Sequence, residues 1–318
     1  MTAAPRFALT TGMQRQAFTV FGYPIYWYAL LIVTGIIGAT VIGCLREKKK
    51  GLPPWTFIDF LLIAVIVGIV SARIYYCAFR WEDYKDNLLE VLRIHDGGLA
   101  IYGGILAGVA TGVVFSRKRH ISFGLLADLC APGLALAQGI GRWGNFVNQE
   151  AYGVAVTSAR WQFFPAAVFI EADETWHAAT FFYESAWCLI VCAALLILER
   201  RRYFSKPGDM FGAYVFLYAL ERAIVEQLRT DSLYWGPLRV SQALSLIALL
   251  GIGACLLARC KRRGKDLLWF GAYAAAFALF LSAVVWGNPA LQLPAACFLT
   301  AAAVAFYAHI KRLEARSE

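Results

Sequence analysis

The stretch "ISFGLLADLCAPGLALAQGI", residues 121–140, is one of several nearly apolar runs in the chain. At about 20 residues, such a run is long enough to cross the hydrocarbon core of a bilayer as a helix. The inside of a bilayer offers no water to satisfy a bare backbone, so each run is expected to be helical. The segment "GRWGNFVNQEAYG", residues 141–153, follows at once and brings an arginine, two asparagines, a glutamine and a glutamate close together. The combination predicts a membrane helix that ends in a site for a polar ligand.

The composition of the whole chain indicates the same fold class. Of the 318 residues, 60% are hydrophobic and only 16% are charged, whereas soluble domains average about 25% charged. We therefore predict an all-α polytopic membrane protein with about nine transmembrane helices. The predicted spans are roughly 25–45, 55–79, 98–115, 121–140, 178–198, 210–228, 238–258, 267–286 and 289–310, with boundaries good to about 2–4 residues.

The net charge of +9 is distributed unevenly along the chain. Basic residues cluster in alternate gaps between the spans and in the tail: "REKKKG", "SRKRH", "ERRRYFSKPGD", "ARCKRRGKD" and "KRLEARSE". The intervening gaps are poor in base, as in "FRWEDYKDNLLEVLRIHD" and "WGNPALQLP". Positive charge marks the cytoplasmic side of membrane proteins, so this pattern predicts an external N-terminus and a cytoplasmic C-terminus. It also explains the basic composition without a nucleic-acid partner.

The motifs that carry metal or covalent chemistry are absent from the sequence. The eight cysteines lie mostly in or beside apolar runs and form no CxxC pair or Cys/His cluster, which is typical of small buried apolar residues. The sequence contains no HExxH, no GxSxG and no P-loop pattern. We therefore expect no bound metal and no cofactor.

Charged residues inside membrane spans are costly and are therefore candidates for function. The sixth predicted span ends in "YALERAIVEQLRTD", residues 218–231, where Tyr218, Arg222, Glu226 and Arg229 recur at spacings of four, four and three. These spacings place the side chains on one face of a helix. Arg222 and Glu226 could form a purely structural pair, but the stripe extends further than one pair requires.

Three more polar residues, Arg73, Arg142 and Glu184, fall in the outer half of the membrane under this orientation. For Arg73 the alternative is that its long side chain simply reaches the interface. Arginines at headgroup depth can grip a phosphate through two parallel N–H bonds, and neighbouring asparagines can bind hydroxyls. The set predicts an outward-facing cavity for a phospholipid head group that carries hydroxyls.

At this point the motifs resemble those of the bacterial prolipoprotein diacylglyceryl transferases. The strongest match is "GRWGNFVNQEAYG", and "DGGLAIYGG" and "YALERAIVEQLR" are similar to two further blocks of the family in the same order. "YWYAL", "SARIYY" and "TFFYES" also fit. The resemblance covers roughly residues 15–260. It implies a transferase domain of seven spans over residues 1–260, followed by two additional helices of unknown role within 261–318.

The resemblance also implies a reaction. Such an enzyme moves the diacylglyceryl group of phosphatidylglycerol onto the lipobox cysteine of a preprolipoprotein, forming a thioether and releasing glycerol phosphate, in the bacterial inner or plasma membrane among its lipids. Asn145 and Asn148 would orient the head group, and Glu150 would hold an arginine in position. The implied catalytic residues are Arg142, Arg222, Tyr28, Tyr102 and Glu226. The implied substrate-binding residues are Arg142, Asn145, Asn148, Glu150, Gly153, Tyr218 and Arg73.

One departure from the family leaves the base for the substrate thiol open. Some members have His-Gly-Gly where this chain has Tyr102-Gly103-Gly104, and a tyrosine is a poor base because its pKa is about 10. His95 and His177 are the other candidates in external segments. Two alternatives to this transferase stay open from the sequence: a transporter or lipid-binding membrane protein without chemistry, and a different lipid-headgroup enzyme.

Overall fold

The structure is a computed structural model that describes residues 15–93, 97–235, 238–260 and 264–315. Helices account for most of these residues. The helices are α1 Trp27–Lys49, α2 Thr56–Phe79, α3 Trp81–Tyr84, α4 Ile101–Lys118, α5 Phe123–Asn148, α6 Thr180–Arg200, α7 Asp209–Val225, α8 Val240–Ala258, α9 Gly264–Val285 and α10 Pro289–Glu314.

Seven of the helices in the described part of the chain are long and apolar enough to cross a membrane: α1, α2, α5, α6, α8, α9 and α10. Many of their large apolar side chains are exposed, as lipid-facing residues must be; Ile66 and Phe298 are examples. This confirms the prediction of a helical polytopic membrane protein. The other two predicted spans are helices as well, but α4 has 18 residues and α7 has 17, short of the usual spanning length of about 20.

The described residues also form three antiparallel hairpins that the sequence reading did not predict. They pair β1 Gln16–Val20 with β2 Tyr23–Tyr26, β3 Ala167–Ile170 with β4 Thr175–Ala178, and β5 Tyr234–Trp235 with β6 Leu238–Arg239. The hairpin of β3 and β4 lies in the segment that joins α5 to α6. Val168 and Ile170 are buried against Phe181 at the start of α6, so this hairpin is a packed part of the fold.

The chain divides into two compact units. The first takes residues up to Gly35, Ala135–Ser205 and the chain from Gly212 onward, and the second takes Ile36–Leu134 and Lys206–Phe211. In the second unit, Phe57 and Phe60 of α2 pack with Phe115 of α4 and with Leu126 and Leu129 of α5.

The close approach of α4 to α2 occurs at a glycine. A Cβ at Gly103 would lie 2.6 Å from the backbone oxygen of Ser71, so no other residue fits there without movement. Gly104, Gly108 and Gly112 recur every four residues along α4, a spacing that predicts one smooth helix face. A Cβ at Gly112 would lie 3.1 Å from the ring of Phe123, whereas Gly108 has no atom within 4 Å of its Cβ position.

In the first unit, α7 and α8 share one hydrophobic core with α9 and α10. Buried aromatic side chains dominate it, among them Phe216, Tyr273, Phe280 and Phe306. The Tyr273 hydroxyl donates to the backbone oxygen of Leu249, 2.6 Å away. This core fixes one side of α7, and the functional side chains lie along the same helix.

Candidate functional site

A buried carboxylate on α6 is the centre of the polar cluster in the first unit. Glu184 is 1% exposed and forms ion pairs with Arg142 of α5 and with Arg222 of α7, whose Nη1 lies 3.0 Å from Oε2. Arg229 approaches the other carboxylate oxygen at 3.8 Å. Arg222 also pairs with Glu226, as the spacing predicted. Three arginines from three parts of the chain are therefore held together around one carboxylate.

Hydrogen bonds between neighbouring helices set the positions of these side chains. The Ser185 hydroxyl donates to the backbone oxygen of Gly139 at 2.7 Å and receives the indole N–H of Trp143 at 3.1 Å. The indole of Trp187 donates to the backbone oxygen of Leu217 at 3.0 Å. The first two bonds align α5 with α6 and the third aligns α6 with α7, so the helix register brings Glu184 opposite its arginines.

The end of α7 differs from the prediction. The helix stops at Val225, and Glu226–Leu228 form a 3-10 turn, after which Arg229 has an extended backbone. The cause is a contact with a distant segment. The backbone of Arg229 forms a β-bridge with Gly153, which it could not form as part of a continuous helix. Arg229 still reaches the cluster, but from the turn. It also donates to Asp231 at 3.0 Å and 2.8 Å, which holds the pKa of that carboxyl below its usual value.

The end of α5 also differs from the prediction. The helix continues to Asn148, well past residue 140, so Arg142 lies within the helix and not at its end. Glu150 follows the helix and accepts hydrogen bonds from the side-chain amides of Asn145 at 3.4 Å and Asn148 at 3.3 Å. Within the described residues, Glu150 is thus hydrogen-bonded to two asparagine amides, and the ion pairs of Arg142 and Arg222 are with Glu184 and Glu226.

Two tyrosines border Arg142. Tyr28 lies in the first turn of α1, and a Cβ at Gly144 would run into its ring, so this glycine makes room for the tyrosine. The Tyr28 hydroxyl interacts electrostatically with Arg142 and Glu150. Tyr218, one turn before Arg222 on α7, interacts with the same arginine of α5. Both phenols thus belong to the cluster.

Gly153 has a backbone role in the structure. Its N–H donates to the backbone oxygen of Ala178 at 3.0 Å, and an added Cβ would lie 2.8 Å from the Cβ of Ala178. His177, one of the candidate bases, is buried beside it and uses both ring nitrogens: Nδ1 on the Gly153 oxygen and Nε2 on the Thr175 hydroxyl, each at 2.8 Å. The same Nε2 also lies 3.1 Å from Oδ2 of Asp173, so both ring nitrogens are engaged. His95, the other candidate, lies outside the described residues.

The remaining predicted residues lie in the second unit. Arg73 is buried, and its guanidinium donates to the backbone oxygens of Glu90, Val91, Gly97 and Gly98 at 2.6–3.2 Å. These hydrogen bonds hold the loop before α4, and the substrate-binding role of Arg73 stays a prediction.

An open cleft of about 250 Å³ lies beside Arg73, between the loop before α4 and the side chains of Tyr76 and Tyr84. Gly97 and Gly98 line it and have φ angles of 89° and 72°, a left-handed region that suits glycine. Tyr102 lies in the first turn of α4 and is 37% exposed.

The cluster around Glu184 is suited to binding an anion. Within the described residues, Arg142 forms its only ion pair with Glu184, through one terminal nitrogen, and its side chain is 19% exposed. A guanidinium has further N–H donors in a planar fork that matches two oxygens of a phosphate. The sequence analysis identified all three arginines. It placed Glu184 in the outer half of the membrane but did not predict its ion pairs, because an ion pair between two helices leaves no spacing pattern in the sequence of either helix.

Comparison with known proteins gives a consistent result. The family model described as "Prolipoprotein diacylglyceryl transferase" matches residues 15–259. A phosphatidylglycerol–prolipoprotein diacylglyceryl transferase of Enterococcus faecalis is 40% identical over 259 residues, which cover 80% of this chain and 92% of that protein. Proteins of the same name from Bacillus anthracis and Bacillus cytotoxicus are 40% and 39% identical over 238 residues, which cover 74% of this chain and 87% of each relative.

Proposed function

The chain belongs to the prolipoprotein diacylglyceryl transferase family, and we propose that its chemistry takes place at the arginine–carboxylate cluster around Glu184. The reaction is the transfer of the diacylglyceryl group from phosphatidylglycerol to a prolipoprotein. The observation that carries the assignment to this site is the convergence of Arg142, Arg222 and Arg229 on one buried carboxylate. A transporter without chemistry is not favoured, since the relatives that share most of the chain are named as transferases.

The chemistry needs a cationic site. The thiolate of the lipobox cysteine attacks the glyceryl carbon, a C–S bond forms, and the C–O bond to the phosphate breaks with its electron pair passing to the oxygen. The thiol loses its proton to solvent as the thiolate forms, and glycerol phosphate leaves with the electron pair of the broken C–O bond. Negative charge grows on the phosphate as this bond breaks. Preorganised guanidinium groups therefore stabilise the transition state more than the ground state.

Each residue of the cluster has a separate role in this proposal. Arg142 and Arg222 bind the phosphate, because their side chains meet at Glu184 and a planar fork can take two oxygens. Glu184 and Glu226 hold the two forks in place through ion pairs. The hydrogen-bonded group of Asn145, Asn148 and Glu150 orients the head group, and Tyr28 and Tyr218 border the phosphate. Gly153 contributes through its backbone.

The membrane arrangement is also part of the proposal. We expect α4 and α7 to span the membrane together with the seven longer helices, and the transferase domain to comprise residues 1–260. The alternating basic loops support an external N-terminus and a cytoplasmic C-terminus, in the plasma membrane of a bacterium. Arg142 and Glu184 then lie towards the outer leaflet.

Cysteine labelling tests this orientation. In a variant without native cysteines, single cysteines at Lys49 and Lys206 should resist an impermeant thiol reagent in intact cells, and a cysteine at Lys85 should react. The reverse labelling pattern would contradict the proposed orientation and the outer-leaflet site.

The activity is tested with the purified full-length protein. Incubation with phosphatidylglycerol and a lipobox peptide should increase the mass of the peptide by one diacylglyceryl group in a mass spectrum. A peptide with serine in place of the lipobox cysteine is the matched control, because a hydroxyl is a far weaker nucleophile at neutral pH. An unmodified cysteine peptide, with the protein folded and the lipid bound, would refute the proposed reaction.

A further inference from the structure

Glu221 of α7 is a third carboxylate in the polar cluster, and it is buried without a hydrogen-bond partner among the described residues. Glu221 is 6% exposed, and among the described residues neither of its carboxyl oxygens has a hydrogen-bond partner and no ion pair includes it. Glu184 and Glu226, by contrast, are both held by arginines. Folded proteins rarely leave a buried polar group unsatisfied, because it loses its water without gaining another partner. The carboxyl group of Glu221 is therefore suited to a donor that the described chain does not supply.

Glu221 belongs to the same cluster as the phosphate-binding arginines. It interacts electrostatically with Glu184, Arg142, Arg222 and Glu226. Arg142 and Arg222 are already engaged by the other two carboxylates, so they do not satisfy Glu221. The missing donor must fit beside two cations. Glu184 and Glu226 already balance the charges of Arg142 and Arg222, so a neutral hydroxyl is a donor that satisfies Glu221 without adding another charge.

We propose that Glu221 accepts hydrogen bonds from the hydroxyls of the phosphatidylglycerol head group and thereby selects this lipid. The inference rests on the proposed function, in which Arg142 and Arg222 hold the adjoining phosphate. The glycerol of the head group has two free hydroxyls, and the carboxyl group has two oxygens without a partner. A carboxyl group can accept a hydroxyl hydrogen whether or not it carries a proton, so the pairing is not tied to one protonation state.

A site built around a substrate hydroxyl discriminates strongly against analogues that lack it, since the buried acceptor is then left unsatisfied. The suitable analogue is phosphatidylpropanol with the same acyl chains. Its head group has the same number of carbons as glycerol and no hydroxyl. Glu221 is thus proposed as a specificity-determining residue of the known reaction.

The test measures kcat/KM for both lipids with the full-length protein and a lipobox peptide in mixed micelles. The wild-type protein should prefer phosphatidylglycerol, and Glu221→Leu should reduce that preference about 10- to 100-fold, the usual cost of leaving out such a bond. Glu221→Gln keeps one acceptor oxygen and should give an intermediate preference. Glu171→Leu, at an exposed position after the β3 strand, is the matched control and should keep the wild-type preference.

Melting temperatures in detergent separate specificity from folding. No described group is hydrogen-bonded to the Glu221 carboxyl, and burying an unsatisfied carboxyl is costly, so the leucine variant should be at least as stable as the wild type. If that variant does not fold, the isosteric glutamine variant alone decides the preference. Equal loss of activity towards both lipids, or a wild-type preference in both variants, would overturn the inference. A wild-type protein inactive with phosphatidylglycerol would instead overturn the proposed function, and this inference with it.

Discussion

Replacement of Glu184 by glutamine tests the central feature of the site. The substitution keeps the size of the side chain and removes its charge. At an effective dielectric constant of about 20, a charge pair separated by 3.0 Å, as for Arg222, attracts by about 5.5 kcal/mol, and the pair with Arg229 at 3.8 Å attracts by about 4.4 kcal/mol. Desolvation of the charges offsets part of this attraction, so the net cost of removing one partner of a buried pair is about 3–5 kcal/mol.

Glu184→Gln should therefore lower the free energy of unfolding by about 3–5 kcal/mol and reduce kcat/KM for phosphatidylglycerol by at least about 100-fold. The activity falls because the forks of Arg142 and Arg222 lose the group that aims them at the phosphate. Denaturant titration in detergent measures stability, and peptide mass spectrometry measures turnover. The matched control is Glu171→Gln, an exposed glutamate for which we expect wild-type values. Wild-type stability and turnover in Glu184→Gln would refute the reasoning that this carboxylate organises the site.

Three other substitutions test separate contacts. Arg142→Lys keeps the charge but loses the planar fork, so kcat/KM should fall about 10- to 1000-fold in the peptide assay; normal turnover would remove this residue from the site. Gly153→Ala should lower the free energy of unfolding by about 1–3 kcal/mol, because the new Cβ would lie 2.8 Å from the Cβ of Ala178. Gly141→Ala is the control, because no atom lies near the Cβ position of Gly141. Equal stability of the two variants would contradict this steric reason. Gln292→Ala should lower the melting temperature and reduce turnover together, because this buried side chain is hydrogen-bonded to the turn after α7; unchanged turnover at a lower melting temperature would separate α10 from the site.

The sequence predicted the helical membrane fold and several residues of the cluster around Glu184, because both depend on local patterns. Apolar runs of spanning length give the helices, and the spacing of Tyr218, Arg222 and Glu226 gives one helical face. The Arg222–Glu226 pair, one turn apart, is confirmed.

What the sequence did not predict depends on contacts between distant segments. Glu184 is the centre of the cluster because hydrogen bonds at Ser185 and Trp187 align its helix with two neighbours, and no periodicity within α6 reports that alignment. The helix ends before Arg229 because the backbone of Arg229 pairs with Gly153, which is distant in the sequence. Helix ends and charge pairing between helices are therefore the features that the sequence left open.

Some of the contacts that hold the end of α7 come from helices beyond the part of the chain that the family model matches. The match ends at residue 259, and α9 begins at Gly264. Gln227 lies in the 3-10 turn directly after Glu226, and its amide donates to the backbone oxygen of Val284 at 2.7 Å. Its side-chain oxygen accepts from Gln292 of α10. The turn that brings Glu226 to Arg222 is thus held from one side by the ion pair and from the other by the two additional helices. The buried core of α7 and α8 also continues into α9 and α10, so these two helices support the end of α7 through the turn and through the shared core.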